Sequence, residues 1–276
     1  LRATASLMSR DDVIIVASIS CIYGLGDPVD FKKLSIDITV GDTISRQDLI
    51  AKLVNTQYER NDTALEHGRF RVRGNTVDVI PGYDKEIVRI ELEDQKIVSL
   101  TRRDPVSLKQ KESMKHVFIY PAKHFVTSDE KMESAIVSIK EELAEVLPSM
   151  EPLEQERLRR RTKYDLEMMQ QLGYCTGIEN YSRHFDQRPE GSAPSCLLNY
   201  FPKDFLFIID ESHQSIPQSN GMYKGDYARK KNLIDFGFRL PSALDNRPLK
   251  FAEFEKFFNH VIFVSATPAD YEVQSS

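Results

Sequence analysis

Tryptophan is absent from the 276 residues, and the three cysteines, Cys21, Cys175 and Cys196, lie far apart. That spacing supplies neither a disulfide framework nor a metal-ligand repeat, so free thiols in a reducing compartment are expected. No apolar run approaches the ~20 residues that a membrane-spanning helix needs, and no secretory leader is visible after Leu1. A soluble, cytoplasmic chain is the resulting expectation. Surplus positive charge is missing as well: 37 Lys and Arg stand against 42 Asp and Glu, a net charge of -5. This excludes an overall basic footprint and leaves any nucleic-acid contact to local patches. Finally, no Gly-Lys pair occurs anywhere, so the chain holds no P-loop lysine to grip the phosphates of a nucleotide.

What is present is organised around Phe205-Leu206-Phe207-Ile208-Ile209-Asp210-Glu211-Ser212-His213. Five apolar residues running into two carboxylates predict a strand buried on both faces, as in the parallel sheet of an α/β domain. Ligands of such sheets gather at the carboxyl ends of the strands. There Asp210 can hold Mg²⁺ through its waters while Glu211 orients or deprotonates an attacking water, the division of labour that phosphoryl transfer needs. A strand ending in an ordinary polar turn would read the same way. A second run, Val261-Ile262-Phe263-Val264, closes on Ser265-Ala266-Thr267-Pro268. A third, from Val13 to Ser20, ends in hydroxyls and a Gly24-Leu25-Gly26 turn. Here Ser20, Tyr23 and Gly24 are candidates for contact with a nucleic-acid phosphate, against a tight turn that needs glycine only for positive φ.

Between these runs the pattern changes. Ser45 is a plausible N-cap for a helix with Leu49, Ile50, Leu53 and Val54 on its apolar stripe. A full capping box would want Glu or Gln where Asp48 sits. Period-two alternation follows in Arg69-Phe70-Arg71-Val72-Arg73, with a Gly74-Asn75 hairpin turn, and again in the segments on either side of Asp94-Gln95. A small antiparallel sheet with one helix is predicted, its arginines forming a row of like charges on the outer face. That row is either a solvated surface or a docking site. Beyond Phe125 the period is helical, with a stripe of Met132, Ile136, Ile139, Leu143 and Val146, then a second helix stopped by Gly173. The second helix carries Arg157, Arg159, Arg160, Arg161 and Lys163, which suit a DNA backbone or, with Glu151, Glu154, Glu156, Asp165 and Glu167, a salt-bridged solvent face. The loop after Gly173 brings together Tyr181, Arg183 and His184, a set fit for stacking and phosphate contact or for a structural histidine. Gly221 to Lys231 reads as a glycine-rich turn with aromatics and basic residues, in which Lys224 and Arg229 are further nucleic-acid candidates.

Asp-Glu-x-His followed by Ser-Ala-Thr resembles motifs II and III of the superfamily 2 helicases. Longer words resemble the UvrB family of nucleotide-excision-repair proteins along essentially the whole chain: Ser20-Cys21-Ile22-Tyr23-Gly24-Leu25-Gly26, Asp165-Leu166-Glu167-Met168-Met169, Gly177-Ile178-Glu179-Asn180-Tyr181-Ser182-Arg183-His184, and Gly237 to Pro248. The nearest alternative is the UvrB-like module of a transcription-repair coupling factor, whose ATP site is degenerate; an intact Asp210-Glu211-Ser212-His213 favours UvrB. A generic RNA helicase fits the long words less well.

The resemblance implies an α/β fold, part of a RecA-like parallel-sheet domain interrupted by an inserted α+β antiparallel-sheet domain and a helical subdomain. The implied order is residues 1–30 and 179–276 for the RecA-like parts, 31–124 for the insertion and 125–178 for the helical piece. It also implies an ATP- and Mg²⁺-dependent subunit that docks to UvrA, handles damaged DNA and hands it to UvrC. Asp210 would hold Mg²⁺, Glu211 would place the hydrolytic water, and His213 would link the nucleotide state to Ser265, Ala266 and Thr267. Arg60, Arg71, Arg73, Arg89 and Glu91 match the UvrA-docking set. Asn75 stands where the family usually has Asp, Ile80 where Phe is common, and Gln214-Ser215 where Val-Thr is common. The phosphate-gripping lysine and a damage-probing hairpin would lie upstream of Leu1, and a second motor domain beyond Ser276. The chain is therefore read as a piece of a longer protein, with a stand-alone docking module as the competing description.

Overall fold

A computed structural model describes residues 1–275, which divide into two compact units: Leu1–Val13 with Val29–Val126, and Ile14–Pro28 with Thr127 onward. The first unit opens with α1 (Arg2–Ser9) and α2 (Pro28–Lys33), followed by β1 (Ile36–Thr39) and α3 (Arg46–Asn55). Then come β2 (Glu59–Arg60), β3 (Arg69–Arg73), β4 (Thr76–Ile80), β5 (Ile87–Glu93), β6 (Lys96–Arg103), β7 (Gln110–Met114) and β8 (His116–Ile119). Strands β2 to β7 form a six-stranded sheet in sequence order, antiparallel except for the parallel β2–β3 pair, while β1 pairs with β8. Contacts thus group Leu1–Val13 with this sheet, whereas the sequence placed residues 1–30 in the α/β part.

Local chemistry sets these boundaries. Ser45 Oγ accepts the Asp48 N–H at 3.0 Å and donates to Asp48 Oδ2 at 2.6 Å, so the shorter acid closes on the capping hydroxyl. Leu49 and Leu53 of α3 are fully buried against Phe70, Val77, Val79, Ile90 and Leu100 of the sheet. Gly74, at φ 58°, turns β3 into β4. Asp94 and Gln95, at φ 46° and 66°, turn β5 into β6 with the doubly positive geometry that suits the strands' twist. Ile80 is buried, so the sheet core stays apolar at that position.

The second unit contains α4 (Asp129–Val146), α5 (Pro152–Leu172), the short α6 (Ser182–Phe185), β9 (Leu206–Asp210), α7 (Ser212–Asp235), α8 (Phe251–Phe254), β10 (His260–Val264) and α9 (Asp270–Ser275). Ser128 caps α4, Pro152 opens α5, and Gly173 at φ 64° ends it. Strands β9 and β10 run parallel, with Val264 opposite Asp210. No helix among the described residues is long and apolar enough to cross a membrane. The whole is an α/β fold with antiparallel, mixed and parallel strand pairing.

Three sequence expectations are corrected here. Val13 to Ser18 form no strand, and Ile14 and Val16 are 92% and 96% exposed. A parallel strand is buried only between flanking strands and covering helices, and among the described residues β9 and β10 pair only with each other. For the same reason those two strands are covered on one face, by Ile22, Leu198, Ile216 and Phe254, while Leu206, Ile208, Ile262 and Val264 stay open on the other. Third, Gly221 to Lys231 is not a turn but the middle of the 24-residue α7. Buried Ile216, Ser219, Asp226 and Lys230 pin that helix, which outweighs the modest helix penalty of two glycines.

The end of α7 is a Schellman closure: Phe238 N–H donates to Leu233 O at 2.7 Å and Gly237 N–H to Ile234 O at 2.9 Å. Gly237 has φ 71°, and a Cβ there would stand 2.5 Å from the Glu154 carbonyl oxygen of α5. Gly237→Ala should therefore destabilise the protein by about 2–5 kcal/mol, combining left-handed strain with overpacking against backbone. A urea midpoint within experimental error of wild type would refute this.

Candidate functional site

The parallel register brings the carboxyl ends of β9 and β10 side by side. Asp210 ends β9, and Glu211, at φ 45°, makes the sharp bend into α7. Asp210 is exposed; its Oδ1 accepts the Glu211 N–H at 3.1 Å and its carbonyl accepts the Ser215 hydroxyl at 2.9 Å. An exposed carboxylate with one backbone partner suits a Mg²⁺ ion held partly through water. No group of three or more His, Cys, Asp or Glu side chains among the described residues forms a protein-only metal cage. Glu211 is 64% exposed at its side chain, with Oε2 3.5 Å from His213 Nδ1. That same His213 nitrogen lies 2.8 Å from Ser265 Oγ, which also accepts the Thr267 N–H at 3.1 Å. Ala266 and Thr267 are exposed beside them. Positions 210–213 and 265–267, which the resemblance links through His213, thus lie side by side on one rim.

Residues 20–24 lie in the same unit. Ser20 is exposed within a 3-10 turn, and Gly24 sits where a Cβ would run into the Asn246 side-chain oxygen, so close approach explains that glycine. Tyr23 donates its hydroxyl to Asp226 of α7. Its phenol is pushed up to about 12 by burial and by the Asp226 carboxylate. Asp226 also pairs with Lys230 Nζ at 2.9 Å and Arg229 Nη2 at 3.0 Å. Burial works against the charged form of Asp226, but hydrogen bonds from Tyr23, Lys230 and Arg229 outweigh it and hold the carboxyl below its usual range. Lys224 and Arg229 are exposed on α7.

Tyr181, Arg183 and His184 are corrected. None offers a free face for a base: Tyr181 and His184 are buried, and Arg183 is mostly covered. Tyr181 donates to Asp165 Oδ2 at 2.8 Å, and Arg183 pairs with Asp245 at 2.9 Å and Glu142 at 3.4 Å. His184 bridges Ser138 and Glu142 at 2.9 and 2.8 Å. These residues tie α4 and α6 to the turn at 241–245; stacking chemistry is excluded by burial. Asp165, expected on the solvent face of α5, is itself buried and accepts from Arg161 at 3.0 Å. Elsewhere on that helix Arg159 pairs with Glu156 at 3.4 Å and Lys163 with Glu167 at 3.9 Å, whereas Arg157 donates to the Phe236 carbonyl and lies over the Phe238 ring. The three cysteines are free; burial raises Cys21 to about 11 and Cys175 and Cys196 to about 12, so they are inert thiols.

In the first unit the arginine row is not uniformly solvated. Arg60 and Arg73 are exposed, with Arg60 paired to Asp62 at 2.9 Å. Glu91 is half-buried. Arg71 departs from expectation, being buried, because Asp78 stands directly across from it on β4. Asp78 in turn faces Arg89 on β5. Arg71 Nε donates to Asp78 Oδ2 at 2.9 Å, and Arg89 donates from Nε to Oδ1 at 2.7 Å and from Nη2 to Oδ2 at 3.0 Å. Burial opposes the Asp78 charge, yet the Arg89 and Arg71 hydrogen bonds hold its carboxyl below the usual range. Sequence reading passed over Asp78. Its signal was there: counting back across the Gly74-Asn75 turn places it opposite Arg71.

Comparison with known proteins locates both units. Residues 36–125 match the family described as UvrB interaction domain, and residues 130–187 the UvrB third helical domain. UvrABC system protein B of Methanosarcina acetivorans is 58% identical over 276 residues, covering 100% of this chain and 41% of that protein. Proteins of the same name from Leptospira biflexa and Bacillus licheniformis are 53% and 51% identical, over 100% and 99% of this chain and 42% of each relative. The chain thus spans about two fifths of the length of the curated relatives it matches. Two successive UvrB domains, and full-length similarity that extends through the β9–β10 rim, assign it: the chain belongs to the UvrB family.

Proposed function

We propose that this chain is part of the ATP-dependent, damage-verifying subunit of the UvrABC excision nuclease, with β9 and β10 belonging to a RecA-like parallel core. One observation carries the motor reading: His213 and Ser265, 52 residues apart, share a 2.8 Å hydrogen bond beside two exposed carboxylates at the ends of parallel strands. In this reading Asp210 would hold Mg²⁺, and the ion would supply positive charge against nucleotide phosphates. Glu211 orients the attacking water and accepts its proton. His213 senses the position of Glu211 and passes it through Ser265 to the backbone of Thr267. ATP turnover by the full-length protein carrying Glu211→Ala is the test.

A docking role is favoured by a separate observation, the basic face of the β2–β7 sheet within the span that matches the UvrB interaction domain. Arg60, Arg71, Arg73, Arg89 and Glu91 would meet UvrA there, and damaged DNA would pass to UvrC afterwards. Lacking a Gly-Lys-Ser/Thr loop, the isolated chain is better described as a docking module than as a motor. Mixed charge on such a face sets register and on-rate, and its effect is screened by salt. Pull-down with UvrA should lose the Arg71→Glu/Arg73→Glu double variant at low salt, with the difference narrowing at high salt. Retention equal to wild type would remove this face from docking.

A further inference from the structure

The sheet face contains one group that the docking set does not explain. Asp78 is 2% exposed and lies on β4, between the two strands that carry Arg71 and Arg89. Neutralising a buried carboxylate takes one arginine; here two converge on it. Strands two apart are separated by roughly 9.6 Å, yet both guanidinium groups reach the same carboxylate and share its Oδ2. Arg71 keeps a 10% exposed side chain and Arg89 a 20% exposed one, so each presents only a small, fixed part of its fork. Arg71 Nη2, though 2.9 Å from Asp78 Oδ2, has no aligned hydrogen bond. That nitrogen is itself buried, so it stays inside the clamp and only the remainder of the fork can reach a partner.

We propose that Asp78 is the positioning residue of the docking face, holding the guanidinium groups of Arg71 and Arg89 together as a paired cationic site for carboxylates on an acidic protein surface. The proposal rests on the docking reading above and deepens it. A free arginine loses rotamer freedom when it is captured by a partner; an arginine already clamped has lost it on folding. Asp78 therefore gives up one unit of positive charge on the face in exchange for order. Arg73, exposed on the same strand roughly 6.6 Å from Arg71, would supply the long-range attraction that a clamped pair lacks.

Attraction and positioning predict opposite signs for one substitution. Asp78→Asn makes the face more positive, so charge attraction alone would tighten binding to an acidic surface. Positioning predicts the reverse, because an amide offers one accepting oxygen where the carboxylate offers two, and turns an NH₂ donor towards a guanidinium. The affinity of the full-length protein for purified UvrA, measured at low and high salt, should fall at least about tenfold for Asp78→Asn. Asp78→Glu keeps the charge but displaces it by a methylene, and should also bind more weakly than wild type. Binding by a folded Asp78→Asn at wild-type strength or tighter overturns the proposal. If thermal unfolding shows that Asp78→Asn is not folded, Asp78→Glu decides, and wild-type affinity there overturns it instead. Arg73→Glu is the separate arm for the docking reading: wild-type binding by that variant rejects the face altogether, whereas its loss alongside an unimpaired Asp78→Asn rejects positioning alone.

Discussion

Full-length protein carrying Glu211→Ala should turn over ATP at least about 100-fold more slowly, a loss of several kcal/mol of transition-state stabilisation. Its affinity for UvrA should not change. The asymmetry follows from where Glu211 sits. Its side chain is 64% exposed and lies 3.5 Å from the His213 imidazole, so removing it costs the fold little. The backbone bend at φ 45° is a demand on the residue, not on the carboxylate. Glu211→Gln, which keeps the shape and loses the base, should be as inactive as Glu211→Ala; if either variant hydrolyses ATP near the wild-type rate, Glu211 does not place or deprotonate the water. Asp210 and His213 remain in both variants, so any residual rate measures what charge and hydrogen bonding at the rim supply without the base.

The second large effect concerns stability. Asp226→Ala should lower the free energy of unfolding by roughly 3–5 kcal/mol, since it leaves a buried ammonium without its counterion. Asp226 and Lys230 side chains are each 4% exposed and 2.9 Å apart on successive turns of α7. Burial already pulls the Lys230 ammonium below its ordinary value even with Asp226 in place. Tyr23 loses its acceptor in the same stroke. Adding Lys230→Met should restore much of the loss, because an apolar chain of similar length needs no partner there. Chemical denaturation of the two variants is the measurement. A single variant within about 1 kcal/mol of wild type would show that the pair is solvated and not buried, as exposed pairs of that strength are.

Much of the first unit was legible because its signals are local. Alternation around Gly74-Asn75 and Asp94-Gln95 follows from a period of two and from turn geometry, and Ser45 and Gly173 mark helix ends by chemistry that acts within a few residues. The rim was legible for another reason: its strand runs are long, and strand ends in parallel sheets gather functional groups. Arg71 shows the limit. Period two puts it on the polar face, but an arginine stem packs against apolar neighbours while its head finds a carboxylate, and sequence period alone does not report burial. Tyr181, Arg183 and His184 failed similarly, since the partners that bury them, Asp165, Asp245 and Glu142, come from distant segments. In α7, composition suggested a turn at Gly221 and Gly225; tertiary anchoring at Asp226 and Lys230 overrode it.

The β9–β10 ribbon has a practical consequence for bench work on this span. Among the described residues each strand keeps one outer row of backbone donors and acceptors without a neighbouring strand, and four large aliphatic side chains lie bare on the same ribbon. Such a template invites edge-to-edge stacking of like molecules. Light scattering across a dilution series would therefore come before any affinity or denaturation curve is interpreted, and a charged residue at Ile208 or Ile262 is the rational solubilising change.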